Sequence, residues 1–79
     1  MGMRELSMAP VHRMLKRAGA VRVSEEAAEE LRAILEQIGM KISARAIEVA
    51  ASAGRRTVRR EDVIEAARSL FPELRIGRV

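Results

Sequence analysis

The sequence predicts an all-α protein made of a short, a long and a short helix, and three observations carry that expectation. Nearly half of its 79 residues are apolar, yet Phe71 is the one aromatic and glycines number five, which favours helices packed through Leu, Ile, Val, Ala and Met. A stretch of about 30 residues, from Glu25 to Ala53, contains no proline and begins after a good N-cap, Ser24. Gly19 and Gly54 close helical patterns, and each is followed by a basic connector.

Each element has its own local reason. Pro10 fits the first turn of a helix, where a missing N–H is no loss, and Val11, Met14, Leu15 and Ala18 follow at helical spacing. A short helix over about 10–19 results, with His12, Arg13, Lys16 and Arg17 on its outer face. Val21 and Val23 alternate around Arg22 as in a brief extended connector, which turns Arg22 away from both valines. Glu25 and Glu26 then suit the positive end of a second helix, over about 25–53. At 1.5 Å per residue it is roughly 40–45 Å long, more than a compact globule of this chain length spans.

That helix has two apolar faces. Leu31, Ile34, Leu35, Ile38, Ile42, Ala46, Val49 and Ala53 form one stripe, and Ala33, Met40, Ala44, Ile47 and Ala51 lie nearly opposite. Charged bands separate them, with Glu30, Lys41, Arg45 and Glu48 on one side and Glu29, Arg32 and Glu36 on the other. Two faces need two partners, and a second copy of the long helix is the simplest cover for what the short helices leave. Gly39 costs about 1 kcal/mol relative to Ala in a helix interior, and close approach of another helix there offsets it. Thr57 and Val58 read as a second extended piece. A third helix runs from Arg60 to Leu70, with Glu61 and Asp62 in its first turn and Val63, Ala66, Ala67 and Leu70 as its buried row, and Pro72 stops it. The division is an N-terminal arm over 1–8, a domain over 9–71 and a mobile or loosely docked tail over 72–79.

Composition narrows the function. One domain of this size is marginal alone, and without cysteine neither disulfides nor thiolate metal sites help, so oligomerisation is the remaining source of stability. No apolar run approaches the roughly 20 residues of a membrane span, and Met1 to Ser7 lacks a signal peptide's apolar stretch, so a soluble intracellular protein is expected. Catalysis has little support: His12 is the single histidine and stands among Arg and Lys, with no carboxylate or nucleophile at motif spacing. The glutamates of the long helix lack a Glu-x-x-His pattern, so no metal, cofactor or small-molecule substrate is expected.

The net charge is +4, and the ends are basic while the middle is acidic. Thirteen of the fifteen basic residues are arginine, the side chain suited to bidentate phosphate contacts and to insertion into a narrow groove. A hot habitat also fits a chain with no Asn, no Cys and many Arg–Glu opportunities. The richest segment is Ala-Gly-Arg-Arg-Thr-Val-Arg-Arg-Glu-Asp at 53–62, where a hydroxyl and four arginines within one loop match the spacing of phosphates along a nucleic-acid backbone. A solvated basic loop is the plain alternative.

Three segments in order decide between them. Ala-Pro-Val-His-Arg at 9–13, Ala-Gly-Ala-Val-Arg-Val-Ser at 18–24 and the 53–62 loop together resemble archaeal histones over about Leu6 to Leu70. The resemblance implies a histone fold and a handshake dimer, with the first loop of one protomer beside the second loop of the other. It implies duplex DNA as partner, bound, bent or wrapped with little sequence specificity in the nucleoid, the second protomer being a copy of the chain or another histone. By the same resemblance Arg22 is the minor-groove arginine, positioned by the partner's Thr57. Arg13, Lys16 and Arg17 face the DNA from the first helix, and Arg56 and Arg59 contact phosphates. Arg55 pairs with Asp62 to brace the loop. A dimer–dimer contact corresponds to Val49, Ser52, Asp62 and Glu65, but Ser52 and Glu65 replace a histidine and a leucine, which opposes continuous arrays. The competing reading is a histone-fold subunit of a transcription or replication complex, acting mainly as a protein interaction module. A membrane-binding basic helix finds no support, because no helix opposes a fully apolar face to a basic one.

Overall fold

A computed structural model of the chain describes residues 5–77. Residues 1–4, half of the expected arm, and residues 78–79, the end of the expected tail, lie outside the described residues. Three helices follow in short–long–short order: α1 Met8–Arg17, α2 Glu25–Ser52 and α3 Arg60–Leu70. Among the described residues there is no strand, so the fold is all-α. The chain divides into two compact units, residues 1–38 and 39–79.

In the first unit α1 begins two residues earlier than its proline suggested. Ser7 is extended at the N-cap, and Pro10 is the third helical residue, still inside the turn whose N–H groups have no intrahelical acceptor. The helix ends in a Schellman turn: Gly19, at φ +118°, donates to the Lys16 carbonyl at 3.0 Å, and Ala20 donates to that of Leu15 at 3.1 Å. Ser24 then starts α2 by accepting the Ala27 N–H on its Oγ at 3.1 Å. Val11 and Ala28 are the buried apolar side chains among the described residues of this unit.

The charged band of Glu29, Arg32 and Glu36 is partly covered. Glu29 is exposed, but Arg32 is buried and Glu36 half-buried. The reason is a contact from 30 residues away: the Leu6 N–H donates to Glu36 Oε2 at 2.8 Å, bringing the segment ahead of α1 onto this part of α2. Arg32 Nη1 lies 3.4 Å from the same oxygen, so the covered charges are paired.

In the second unit the end of α2 packs through alanines. Ala46, Ala50, Ala66 and Ala67 are buried, and such small side chains let helix backbones approach closely. The α2 helix closes on the same turn as α1: Gly54, at φ +75°, donates to the Ala51 carbonyl and Arg55 to that of Ala50, both at 2.9 Å. In α3, Ala66 and Ala67 are buried as expected and Leu70 is half-buried, but Val63 is exposed and the adjacent Asp62 is buried instead. The residues after α3, the start of the expected tail, are held by hydrogen bonds. Leu74 N–H donates to the Phe71 carbonyl at 3.1 Å, and Arg68 Nε to that of Ile76 at 3.0 Å. Gly77, at φ +79°, sits so close to Ile64 that an added Cβ would lie 2.9 Å from its Cγ2.

Both units leave large apolar side chains uncovered. Met14, Val21 and Ile34 are exposed in the first, and Met40, Ile47, Val58, Val63 and Leu74 in the second. Along the main α2 stripe, Leu31, Leu35, Ile38, Ile42 and Val49 are only half-buried. One valine and five alanines make up the fully covered apolar set of the described residues, which is little to set against the entropy of ordering the chain.

Candidate nucleic-acid interface

The first unit carries its basic groups on α1 and on the connector that follows. Arg13, Lys16 and Arg17 are exposed on α1, and Arg22 is exposed in the connector. Val21 beside it is 84% exposed, so an apolar side chain flanks the arginine at the surface. Lys16 Nζ donates to the Val21 carbonyl at 3.1 Å, tying its ammonium to the loop rather than leaving it wholly to solvent. One turn earlier, His12 Nε2 lies 3.6 Å from Oε1 of Glu25 in the first turn of α2.

The second unit builds its site around a buried carboxylate. Arg55 holds Asp62 with two hydrogen bonds of 2.8 Å, Nη1 to Oδ2 and Nη2 to Oδ1, the fork geometry a guanidinium favours. The same Nη1 reaches the Thr57 carbonyl at 3.1 Å, and the Arg59 N–H donates to Asp62 Oδ2 at 2.8 Å. That last bond satisfies the N-cap donor of α3, so one carboxylate fixes both the loop and the start of the helix. The Asp62 residue is 1% exposed. The Arg55 guanidinium, and after it the Arg59 backbone N–H, hold its carboxyl down at about 2 from an ordinary 3.8, and Arg55 is raised in turn by the same hydrogen bonding.

Bracing the loop this way leaves Arg56, Thr57 and Arg59 exposed. Arg59 Nη1 is 3.9 Å from Glu61, a surface approach of little energetic weight. Arg13, Arg17, Arg22 and Arg56 take part in no ion pair among the described residues. Val49, Ser52, Asp62 and Glu65 line one shallow concavity of this unit together with Arg45, Arg55 and Glu61. Ser52 Oγ donates to the Glu48 carbonyl one turn back on its own helix at 2.9 Å, and Arg45 is engaged with Glu48 at 2.9 Å. Glu65 is exposed and has no ion pair among the described residues.

Two features were not visible in the residue pattern. The Lys16 bond to Val21 fastens α1 to the connector and the His12–Glu25 contact joins α1 to the start of α2, and neither follows from periodicity within one helix. A weak signal existed in the acidic first turn of α2 lying a few residues beyond a helix rich in bases. Among the described residues no group of three or more metal-ligating side chains converges, and no helix is long and apolar enough to cross a membrane.

Short–long–short helices with a basic loop at each joint define the histone-fold class. A family model for histone-like transcription factors (CBF/NF-Y) and archaeal histones matches residues 4–67. The chain is 48% identical over 61 residues to one of the subunits of archaeal histone HAN1 from Thermococcus zilligii, covering 77% of this chain and 91% of that protein. It is 46% identical over 66 residues to probable archaeal histone 3 of Methanocaldococcus jannaschii, covering 84% and 98% respectively. The chain belongs to this family of archaeal histones and histone-like proteins, a DNA-binding family whose role is structural rather than catalytic.

Proposed function

We propose that the chain acts as a homodimer that binds duplex DNA and bends or wraps it with little sequence specificity, as a chromosome-associated protein of the cell interior. The observation that carries this reading is the set of arginines left exposed and, among the described residues, unpaired: Arg13, Arg17 and Arg22 in the first unit, and Arg56 in the second on the loop braced by Arg55 and Asp62. A backbone that is already ordered leaves only side-chain ordering to be offset when phosphates are neutralised. Lys16, Thr57 and Arg59 complete the contact set, and Arg22 enters the minor groove, where width and not base identity is read. The dimer reading is supported by the uncovered apolar residues of both units, Ile34 and Ile47 among them.

The test is a mobility-shift titration on random duplex DNA over a salt series, with the mass of the complex measured. Affinity falling steeply with salt supports the reading, and salt-independent or absent binding ends it. Assembly is proposed to give separate dimers on DNA, or joining through the 71–79 tail, in preference to a continuous array: Ser52 brings no imidazole, its Oγ bonding the Glu48 carbonyl of its own helix, and Glu65 brings a carboxylate without an ion pair among the described residues to the contact, where burying it is costly. Glu65 also favours a second reading, a histone-fold subunit of a heteromeric transcription or replication complex. A purified chain that stays monomeric or unfolded alone, and folds with another histone-fold chain, would select it.

A further inference from the structure

His12 and Lys16 stand one turn apart on the same row of α1, and both reach the segment that leads into α2. Lys16 holds the connector through the Val21 carbonyl, and His12 meets the Glu25 carboxylate at 3.6 Å, with Arg22 between those two points in the chain. Glu25 is well exposed, with 73% of its side chain open to solvent, so a buried ion pair is not what this contact provides. It is a surface carboxylate three residues from an exposed arginine, in a place where negative charge works against an approaching phosphate.

We propose that His12 is an additional phosphate-binding residue of α1 in its protonated form, when Nε2–H pairs with Glu25 and the second N–H of the ring is the donor to a phosphate. This rests on the DNA-binding reading. Imidazole is the side chain that ordinarily gains its charge between about pH 8 and pH 5. With a neutral ring the pair carries the carboxylate's full negative charge; with a protonated ring it carries none. A phosphate brought to Arg13 or Arg22 then meets a histidinium as a further donor, and Glu25 no longer repels it. The other charged groups of the two elements near this point are Arg13, Lys16 and Arg17 on α1, Arg22 in the connector, and Glu26 and Glu29 on α2. The proton comes from solvent, so binding takes up a proton and is favoured by acid.

The experiment is a titration of random-sequence duplex DNA by the full chain at about pH 8 and about pH 6, each over a salt series, with helix content followed by circular dichroism as a folding control. The parent is expected to bind about three- to tenfold more tightly at the lower pH, with a log K against log salt slope steeper by about 0.9, the mark of one more phosphate neutralised. His12→Gln should flatten both responses. Glu25→Gln should bind more tightly than the parent at the higher pH and keep part of the response, which tests the idea through a second residue. Equal parent affinity and equal slope at both pH values overturn the proposal, as does a folded His12→Gln chain that retains the full response. A parent that binds DNA at neither pH overturns the DNA-binding reading itself and this proposal with it.

Discussion

At Ala18–Ala20 and at Ala53–Arg55 the chain ends a helix with the same pair of hydrogen bonds around a left-handed glycine, and from there the two loops part. In the first, the residue after the glycine is Ala20, and the loop is held by one lysine contact to a carbonyl and by the Ser24 cap. In the second, the residue after the glycine is Arg55, which grips a buried carboxylate that also starts the next helix. An identical stop therefore leads to a lightly held loop in one place and a locked one in the other. The side chain that follows the glycine makes the difference, together with the presence of Asp62 seven residues on.

The largest effect tests what the two units share. Both leave the apolar stripe of α2 half-covered, so Ile42→Asp should abolish folding by placing a charge where a second copy is proposed to pack. The parent should melt at higher temperature as its concentration rises. A folded, soluble Ile42→Asp chain, or melting independent of concentration, would mean that each chain is sufficient alone.

Next comes the lock itself. Arg55→Ala strands the buried Asp62 carboxylate and should lower the melting temperature by roughly 10 °C or more, whereas Lys16→Ala should cost no more than a few degrees. Similar losses for the two would erase the contrast between the loops. Acid provides an independent reading of the same bond. Because Asp62 titrates lower in the folded chain, at about 2 against an ordinary 3.8, its stabilisation is fully present above about pH 4 and is lost as the pH falls through about 2. Asp62→Asn should flatten the melting temperature between those limits relative to the parent.

DNA affinity sharpens the comparison from the other side. Replacing Arg22 in the lightly held loop by Ala should weaken binding about tenfold and relax any preference for bendable sequences, while Arg56→Ala should weaken binding evenly and reduce the salt slope by about 0.9. Arg22→Ala binding DNA like the parent across a salt series would remove Arg22 from the contact set. The smallest effect addresses the stops. A Cβ at Gly19 or Gly54 meets nothing within 4 Å, so each Gly→Ala change carries only backbone strain, about 1 kcal/mol at Gly54 (φ +75°) and more at Gly19, whose φ of +118° lies outside the left-handed well. A smaller melting shift for Gly19→Ala than for Gly54→Ala would show that backbone strain does not set the cost of these stops.

Helix order, both glycine stops and the basic loops are legible from residues alone, because each depends on neighbours within a turn or two. The covering of Arg32 and Glu36 is not. Spacing along α2 assigns them to a charged band, and only a backbone donor 30 residues away, at Leu6, removes that band from solvent. The order of the segment after Leu70 is hidden for a related reason: it comes from Arg68 and Ile64 beneath the segment, not from any period of its own. Resemblance identifies Asp62 as the partner of Arg55, but the near-complete burial of Asp62 displaces Val63 from the sheltered row, and helical phase alone does not show which of two adjacent residues turns inward.

The Arg55–Asp62 clamp also determines how the chain should behave when it is stripped from DNA. Dissolved ions weaken attractions between charges that water can reach, and act far less on a pair in which one member is 2% exposed at its side chain. Brine strong enough to free the arginines from a duplex should thus leave this clamp closed. Extraction by salt should release intact, reusable protein, and dilution alone should return it to DNA without a refolding step.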